Sequence, residues 1–321
     1  MNFNKIPPVP STKFLLDLAF RRAREKANVN PKVDSWLQRQ KIKESSKLDI
    51  VKDILVTHLQ GIINQFPQER DLPVFYLKLI HLTLEYPQYK KSFGALKWAQ
   101  EKVKFFQKEY VSKINKTHDV RVVRKMSQEF YGRISSIARQ INASLTYLEE
   151  CRRMMRTYPD VKEMFTVCIY GFPNVGKTTL LNALTGSRAK VASYAFTTLS
   201  INSGFMAVQG QQVQVLDVPG ILNRSGTINL IEQQAELVLE ELADIIIYVF
   251  DLSEQSGYSL KKQEQLFQQV KHQKNVLIYV SKNDVTDAEV LAGFSHRYYT
   301  LEGLREELGK VVSQADAAQS L

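Results

Sequence analysis

Apolar residues keep two different rhythms along this chain, and the change comes near residue 160. Before it they recur at steps of three and four. Phe130, Ile134, Ile137, Ile141, Leu145 and Leu148 form one such series, with Arg133 and Arg139 among the polar residues between them. A helix turns about 100° per residue, so this spacing lays one apolar stripe along one face and leaves the other face wet. Four earlier segments read the same way. Ser11 offers a cap for a helix from about Thr12 to Ala27, and Asp34 starts one running through Leu48, Ile54, Leu55, Leu59 and Ile62. Pro73 suits the first turn of a third, with Phe75, Leu79 and Leu82; Pro87 separates it from a fourth carrying Phe93, Leu96, Val103, Phe106 and Tyr110. Five amphipathic helices with short connections predict an all-α bundle. Trp36 and Trp98 fall within them, where core positions are expected rather than stacking platforms.

After Pro159 the runs shorten and become β-branched: FTVCIY (165–170), VQVLD (213–217), IIIYVFD (245–251) and NVLIYVS (275–281), with helical patterns between them. Strands apolar on both faces, alternating with helices, predict a doubly wound, mostly parallel sheet with helical layers. The expected division is a helical domain over residues 1–160 and an α/β domain over residues 161–321.

Charge follows the same division. Residues 1–160 hold 30 Lys+Arg against 16 Asp+Glu, a net +14, and residues 161–321 hold 13 against 17, a net −4. Such asymmetry predicts an anionic partner for the first half, with nucleic acid the usual candidate. Cys151 and Cys168 have no metal or redox spacing and read as reduced thiols. The opening MNFNKIPPVPST has no apolar core of signal-peptide length, and IIIYVF is far too short to span a bilayer. A cytoplasmic protein without a membrane partner is expected. The five histidines are scattered and form no metal spacing.

Four short stretches in the second half carry chemistry. GFPNVGKT, Gly171 to Thr178, fits G-x-x-x-x-G-K-[ST], between a predicted strand and the helical TLLNALTG. Glycine at both ends lets successive N–H groups turn inward around phosphate oxygens. Lys177 would reach the β and γ phosphates, and the Thr178 hydroxyl would bind Mg²⁺. The helix N-terminus adds its own attraction for the anion. Asp217 and Gly220 in LDVPGIL follow, the first placed to hold Mg²⁺ through water and the second to sense a γ-phosphate. Between them, Thr197 and Thr198 in YAFTTLS offer a hydroxyl that meets Mg²⁺ only when the γ-phosphate is present. In SKND, Asp284 can accept from the two donors of guanine's edge, a pattern adenine lacks, and the Lys282 stem can lie over the base. Arg224, four residues after Gly220, could reach a γ-phosphate in cis, although a solvated loop arginine is the commoner case.

In this order, GFPNVGKT, YAFTT, DVPG and SKND resemble the Obg-like branch of translation-factor-class GTPases. The stretch DLSEQSGYSLKKQEQLF, the preceding bundle and the opening KIPPVPSTKFLLDLAF narrow the resemblance to the nucleolar GTP-binding protein 1 family and its archaeal relatives. It covers about residues 3–310. It implies a P-loop GTPase domain behind a basic helical bundle, binding GTP or GDP with Mg²⁺ and hydrolysing GTP slowly. It also implies work in assembly of the large ribosomal subunit, with ribosomal RNA met by the bundle. Carried over residue by residue, Gly171, Phe172, Pro173, Asn174, Val175, Gly176, Lys177, Thr178 and Thr179 would hold phosphates. Thr178, Thr198 and Asp217 would serve Mg²⁺, Gly220 the γ-phosphate, and Lys282 and Asp284 the base. GTPases of this class carry an apolar residue where others use glutamine to orient water, as Ile221 does here. Some relatives use the asparagine at the Asn174 position to help hold K⁺ against the phosphates. Catalysis would then rest on Asn174, Lys177, Thr198 and Gly220. The chain departs from the pattern at Ser281, in place of asparagine or threonine, and at RYYTLEGL (297–304), which lacks the usual Ser-Ala pair. Both predict weaker guanine binding. Two other classes fit the same motifs: an ATP-using enzyme acting on a protein partner, and a nucleotide-gated binding module with negligible hydrolysis.

Overall fold

A computed structural model describes the chain apart from residues 1–2, 28–34, 187–191, 196–199, 219, 221–229 and 320–321. It separates into two compact units, one of residues 3–71 and 84–156, the other of residues 72–83 and 157–321.

The five predicted helices are present as α1 (Thr12–Lys26), α2 (Trp36–Gln65), α3 (Val74–Thr83), α4 (Tyr86–Lys116) and α5 (Val120–Met155). The Ser11 hydroxyl accepts from Phe14 N at the start of α1, and Asp119 accepts from Arg121 N at the start of α5. Each cap supplies an acceptor that the first helical turn otherwise lacks. The whole predicted stripe of α5, Phe130 through Leu148, is buried, as are Leu48 and Leu55 of α2 and Leu96 and Val103 of α4, and the three helices pack on one another. Glu44 accepts from Ser127 Oγ at 2.7 Å and from Lys47 Nζ at 2.6 Å. Glu149 of α5 accepts from Val9 N at 3.0 Å and from Arg152 and Arg153, fastening the proline-rich opening segment to this helix. Those bonds, Arg152 foremost, hold the Glu149 carboxyl down at about 2 against the opposing effect of burial.

One expectation changes here. Trp36 is 55% exposed. Steps of three and four back from Glu44 and Leu48 on the buried side of α2 land on Leu37, so the indole lies off the stripe; Trp98 is half-buried. α3 groups with the second unit. Its apolar face (Phe75, Tyr76, Leu79, Ile80) packs on α7 (Leu230–Glu241). Tyr76 Oη donates to Pro159 O at 2.7 Å and accepts from Val161 N at 3.0 Å, while Lys78 pairs with Glu241.

The second unit is a six-stranded sheet: β1 (Thr166–Tyr170), β2 (Ala192–Ala195), β3 (Ser200–Val208), β4 (Gln211–Asp217), β5 (Ile245–Asp251) and β6 (Asn275–Ser281), in the order β2-β3-β4-β1-β5-β6. β4, β1, β5 and β6 are parallel, and β2 and β3 extend the edge antiparallel. Every residue of β1 and β5 is buried, as central strands covered on both faces must be. The β3–β4 turn is Gln209-Gly210, both at positive φ (49° and 87°), the combination that matches strand twist in a two-residue hairpin. The remaining helices are α6 (Lys177–Thr185), α8 (Leu260–Val270), α9 (Ala288–Ala292) and α10 (Leu301–Gln319). Leu180, Leu181 and Leu184 of α6 and Leu304, Leu308 and Val312 of α10 share one core with the sheet. Both cysteines are buried and free, and burial pushes the Cys151 thiol up to about 11.

Candidate nucleotide site

Because β4, β1, β5 and β6 run the same way, their C-terminal ends form one edge. In register, Asp217 lies beside β1 and Asp251 beside Ser281. In open α/β sheets this edge is where ligands bind.

Residues 171–176 link β1 to α6. Gly171 (φ 147°) and Gly176 (φ 93°) hold backbone conformations that side chains rarely adopt, and Asn174 (φ 63°) joins them in the left-handed region. A Cβ at Gly171 would come within 2.7 Å of Val249 O, so glycine is required there by space as well as by torsion. The loop delivers the chain to α6, whose first N–H groups face the same edge. Lys177 is buried, and its Nζ donates to Phe172 O at 2.8 Å. Burial lowers its pKa, while the nearby Asp217 charge works the other way. Thr178 Oγ1 donates to Asp217 Oδ2 at 2.5 Å, and Asn202 Nδ2 donates to the same oxygen at 3.3 Å. The hydroxyl and carboxylate meet across 39 residues of sequence. Gly220 closes over the loop: a Cβ on it would lie 2.1 Å from Gly171 O and 2.8 Å from Phe172 Cα. Thr197, Thr198, Pro219, Ile221 and Arg224 lie outside the described residues.

At the other end of the edge, Ser281 Oγ donates to Val175 O at 2.6 Å and lies 3.1 Å from Phe250 O. The short side chain thus braces the phosphate loop directly. Lys282 has φ 54°, and its Nζ donates to Asp251 Oδ2 at 2.7 Å; Asp284 is exposed beside it. The segment Arg297–Thr300 explains the absent Ser-Ala pair. Tyr299 bridges Tyr279 of β6, and α10 begins at Leu301, with Gly303 N donating to Thr300 Oγ1 at 3.1 Å.

Three residues here escaped sequence reasoning: Asn202 on β3, and Asp251 and Gln263 at the end of β5 and in α8. Asp251 closes the run IIIYVFD as Asp217 closes VQVLD, which was the available signal. Asn202 carried none, and Gln263 stood in the family-like stretch 251–267 with no role attached to it. Among the described residues, no group of three or more His, Cys, Asp and Glu is placed to hold a metal. The oxygen pair Thr178 and Asp217 fits Mg²⁺ all the same, since that ion takes few protein ligands and completes its shell with water and phosphate.

The NOG1 N-terminal helical domain model matches residues 3–162, and the 50S ribosome-binding GTPase model matches residues 166–282. An uncharacterized protein of Methanocaldococcus jannaschii is 35% identical over 291 residues, covering 89% of this chain and 82% of its own length. The chain belongs to the nucleolar GTP-binding protein 1 family. Within that family, the Drosophila melanogaster nucleolar GTP-binding protein 1 is 30% identical over 90% of this chain, and the Saccharomyces cerevisiae protein 28% over 96%. This chain spans 45% and 48% of those two relatives' lengths. Among the described residues, no helix is long and apolar enough to cross a membrane.

Proposed function

We propose that the protein binds GTP and GDP with Mg²⁺, hydrolyses GTP slowly, and acts as a nucleotide switch on the assembling large ribosomal subunit. The observation that carries the nucleotide reading is the joining of separate motifs on one sheet edge. The phosphate loop touches Asp217 through Thr178, and it touches the guanine motif through Ser281. Residues 171–179 would cradle the phosphates by backbone N–H groups and by Lys177, which exchanges Phe172 O for a phosphate oxygen. Bound Mg²⁺ would neutralise charge on the β and γ phosphates, held from the protein by Thr178, Asp217 and Thr198. Gly220 N–H would read the γ-phosphate. Asp284 would select guanine, with Lys282 along the base. Ile221 has no group to orient water, so charge neutralisation falls to the loop and to K⁺ held with help from the exposed Asn174 carboxamide.

The ribosomal half of the proposal rests on the +14 charge of residues 1–160, on the family, and on the lysines the bundle leaves in solvent. Lys97, Lys104 and Lys108 share one exposed face of α4. They would meet RNA phosphate, reading charge and shape rather than base edges. Two experiments test the whole. Single-turnover assays should show GTP cleaved and ATP untouched. Sedimentation with ribosomal subunits should show GTP-analogue-dependent association that falls steeply with salt and is weakened by charge reversal of the three lysines. Cleavage of ATP at an equal rate, or association indifferent to nucleotide, would overturn it.

A further inference from the structure

The loop after β5 carries no residue assigned above to nucleotide or Mg²⁺, yet it begins with a carboxylate that is fully buried. Asp251 is 0% exposed and spends both oxygens. Oδ1 accepts from Ser253 N at 3.1 Å and Ser253 Oγ at 2.5 Å, which folds the chain into a turn. Oδ2 accepts from Ser256 N at 2.8 Å and from Lys282 Nζ at 2.7 Å. Burial alone would raise this carboxyl's pKa, but the bonds from Lys282, Ser253 and Ser256 hold it below its usual value. Its own backbone is locked as well: Asp251 N donates to Gln263 Oε1 at 2.8 Å, and Gln263 Nε2 donates back to Asp251 O at 2.8 Å. Gln263 is itself 0% exposed, and Tyr248 Oη fixes it from beneath by donating to its carbonyl.

Oδ1 holds the Ser253 turn, while Oδ2, besides accepting from Ser256 N, faces across to the residue that follows β6, Lys282. Lys282 sits in the left-handed region at φ 54°, a conformation costly for lysine unless its surroundings impose it. The Lys282 side chain remains 25% exposed while its ammonium is tied to a carboxylate that is not exposed at all. The charged end is therefore anchored inward, and the stem is what remains available to a ligand. An untethered lysine would sample many rotamers and give up that freedom on each binding event.

We propose that Asp251 is a positioning residue for guanine-nucleotide binding, acting through Lys282 by fixing its ammonium so that its stem is held ready as a platform for the base. This rests on the guanine reading given above. The same loop reaches the phosphate end, since Tyr258 stacks on Phe172 at 4.4 Å between ring centroids and accepts from Gln263 at its carbonyl. The platform and the phosphate loop thus share one support.

A double-mutant cycle read by GDP affinity tests the proposal. Asp251→Asn keeps an oxygen for the Ser253 turn and loses the acceptor shared by Lys282 Nζ and Ser256 N; it should weaken GDP binding about tenfold. Lys282→Met keeps the stem and loses the anchor, with a similar effect. In the Lys282→Met background, Asp251→Asn should cost less than about twofold more. Ser253→Ala, which loosens the turn alone, should leave affinity within about twofold. Multiplying effects of the two single variants, or a loss with Ser253→Ala equal to that of Asp251→Asn, would overturn the positioning role. Should Asp251→Asn fail to fold, reductive methylation of the unmodified protein decides: Lys282 should label at least about tenfold more slowly than exposed Lys261, and equal rates would refute the anchor. Asp284→Asn separates this from the parent reading. If it leaves GDP affinity unchanged, both fall; if it abolishes GDP preference while the cycle is additive, only the positioning role falls.

Discussion

Ser281→Ala removes one hydroxyl, and the structure says what that hydroxyl does. Ser281 is buried, and its Oγ donates to Val175 O at 2.6 Å, inside the phosphate loop, with Phe250 O at 3.1 Å as a second neighbour. One proton can serve one strong bond, and the shorter contact takes it. Deleting the donor leaves a loop carbonyl short of its partner in a place water cannot easily reach, which costs about 1–2 kcal/mol. For a domain of this size that is a fall of about 2–8 °C in Tm. GDP affinity should fall by about 5–30-fold, the upper end applying if the freed loop loses its inward-turned N–H groups. Differential scanning fluorimetry with and without GDP, alongside isothermal titration of GDP, measures both. Ser281→Thr should recover most of the loss, because it restores the hydroxyl. Unchanged Tm and unchanged affinity in Ser281→Ala would show that the bond does not brace the loop.

Three further outcomes are expected. Asp217→Asn exchanges the Thr178-paired carboxylate for an amide, so GDP binding should lose its dependence on Mg²⁺ and become insensitive to EDTA; retained Mg²⁺ dependence would remove Asp217 from the ion's site. Glu149 has its carboxyl lowered from 4.5 to about 2, so its stabilisation is present above pH 4.5 and is lost as pH falls toward 2. Glu149→Gln should therefore cost about 1–2 kcal/mol at pH 7, after screening of a partly exposed group, and should flatten the melting profile between about pH 4.5 and 2. Replacing Na⁺ by K⁺ should raise single-turnover GTP hydrolysis, and Asn174→Gly, which tolerates the 63° φ without strain, should abolish the increase while sparing GDP binding.

Much of this arrangement was legible in the chain, for physical reasons that differ by element. The phosphate loop announces itself because close turns and backbone donors demand glycine at fixed spacing, and the structure places Gly171 and Gly176 at torsions that need it. The central strands β1 and β5 read clearly because burial on both faces leaves them apolar except at one end of each, Thr166 and Asp251. β3 did not. It is an antiparallel strand next to the sheet edge, and SINSGFMAV mixes serine, asparagine and glycine with apolar residues, so neither rhythm stands out. The helices of the first half were visible in their periodicity, but periodicity cannot say which body a helix packs against. α3 shows this, joining α7 through Tyr76 and Lys78. Trp36 shows the matching limit of residue type, since a one-position offset at a helix end puts an indole into water. Asp251 showed only as the polar end of an apolar run, and Gln263 was hidden because its role comes from contacts between a strand end and a helix, which no local pattern encodes.

The central claim is that this sheet edge selects guanine nucleotide, and competition binding in the presence of Mg²⁺ tests it most directly. GDP, ADP and XDP would each displace a fluorescent GDP analogue from the unmodified protein and from Asp284→Asn. The unmodified protein should favour GDP over ADP by at least about a hundredfold, as expected for two desolvated charge-assisted hydrogen bonds. Asp284→Asn should turn that preference toward XDP, with folding and phosphate-loop contacts intact. Equal affinity for GDP and ADP in the unmodified protein, or an Asp284→Asn variant that still prefers GDP, would contradict the account.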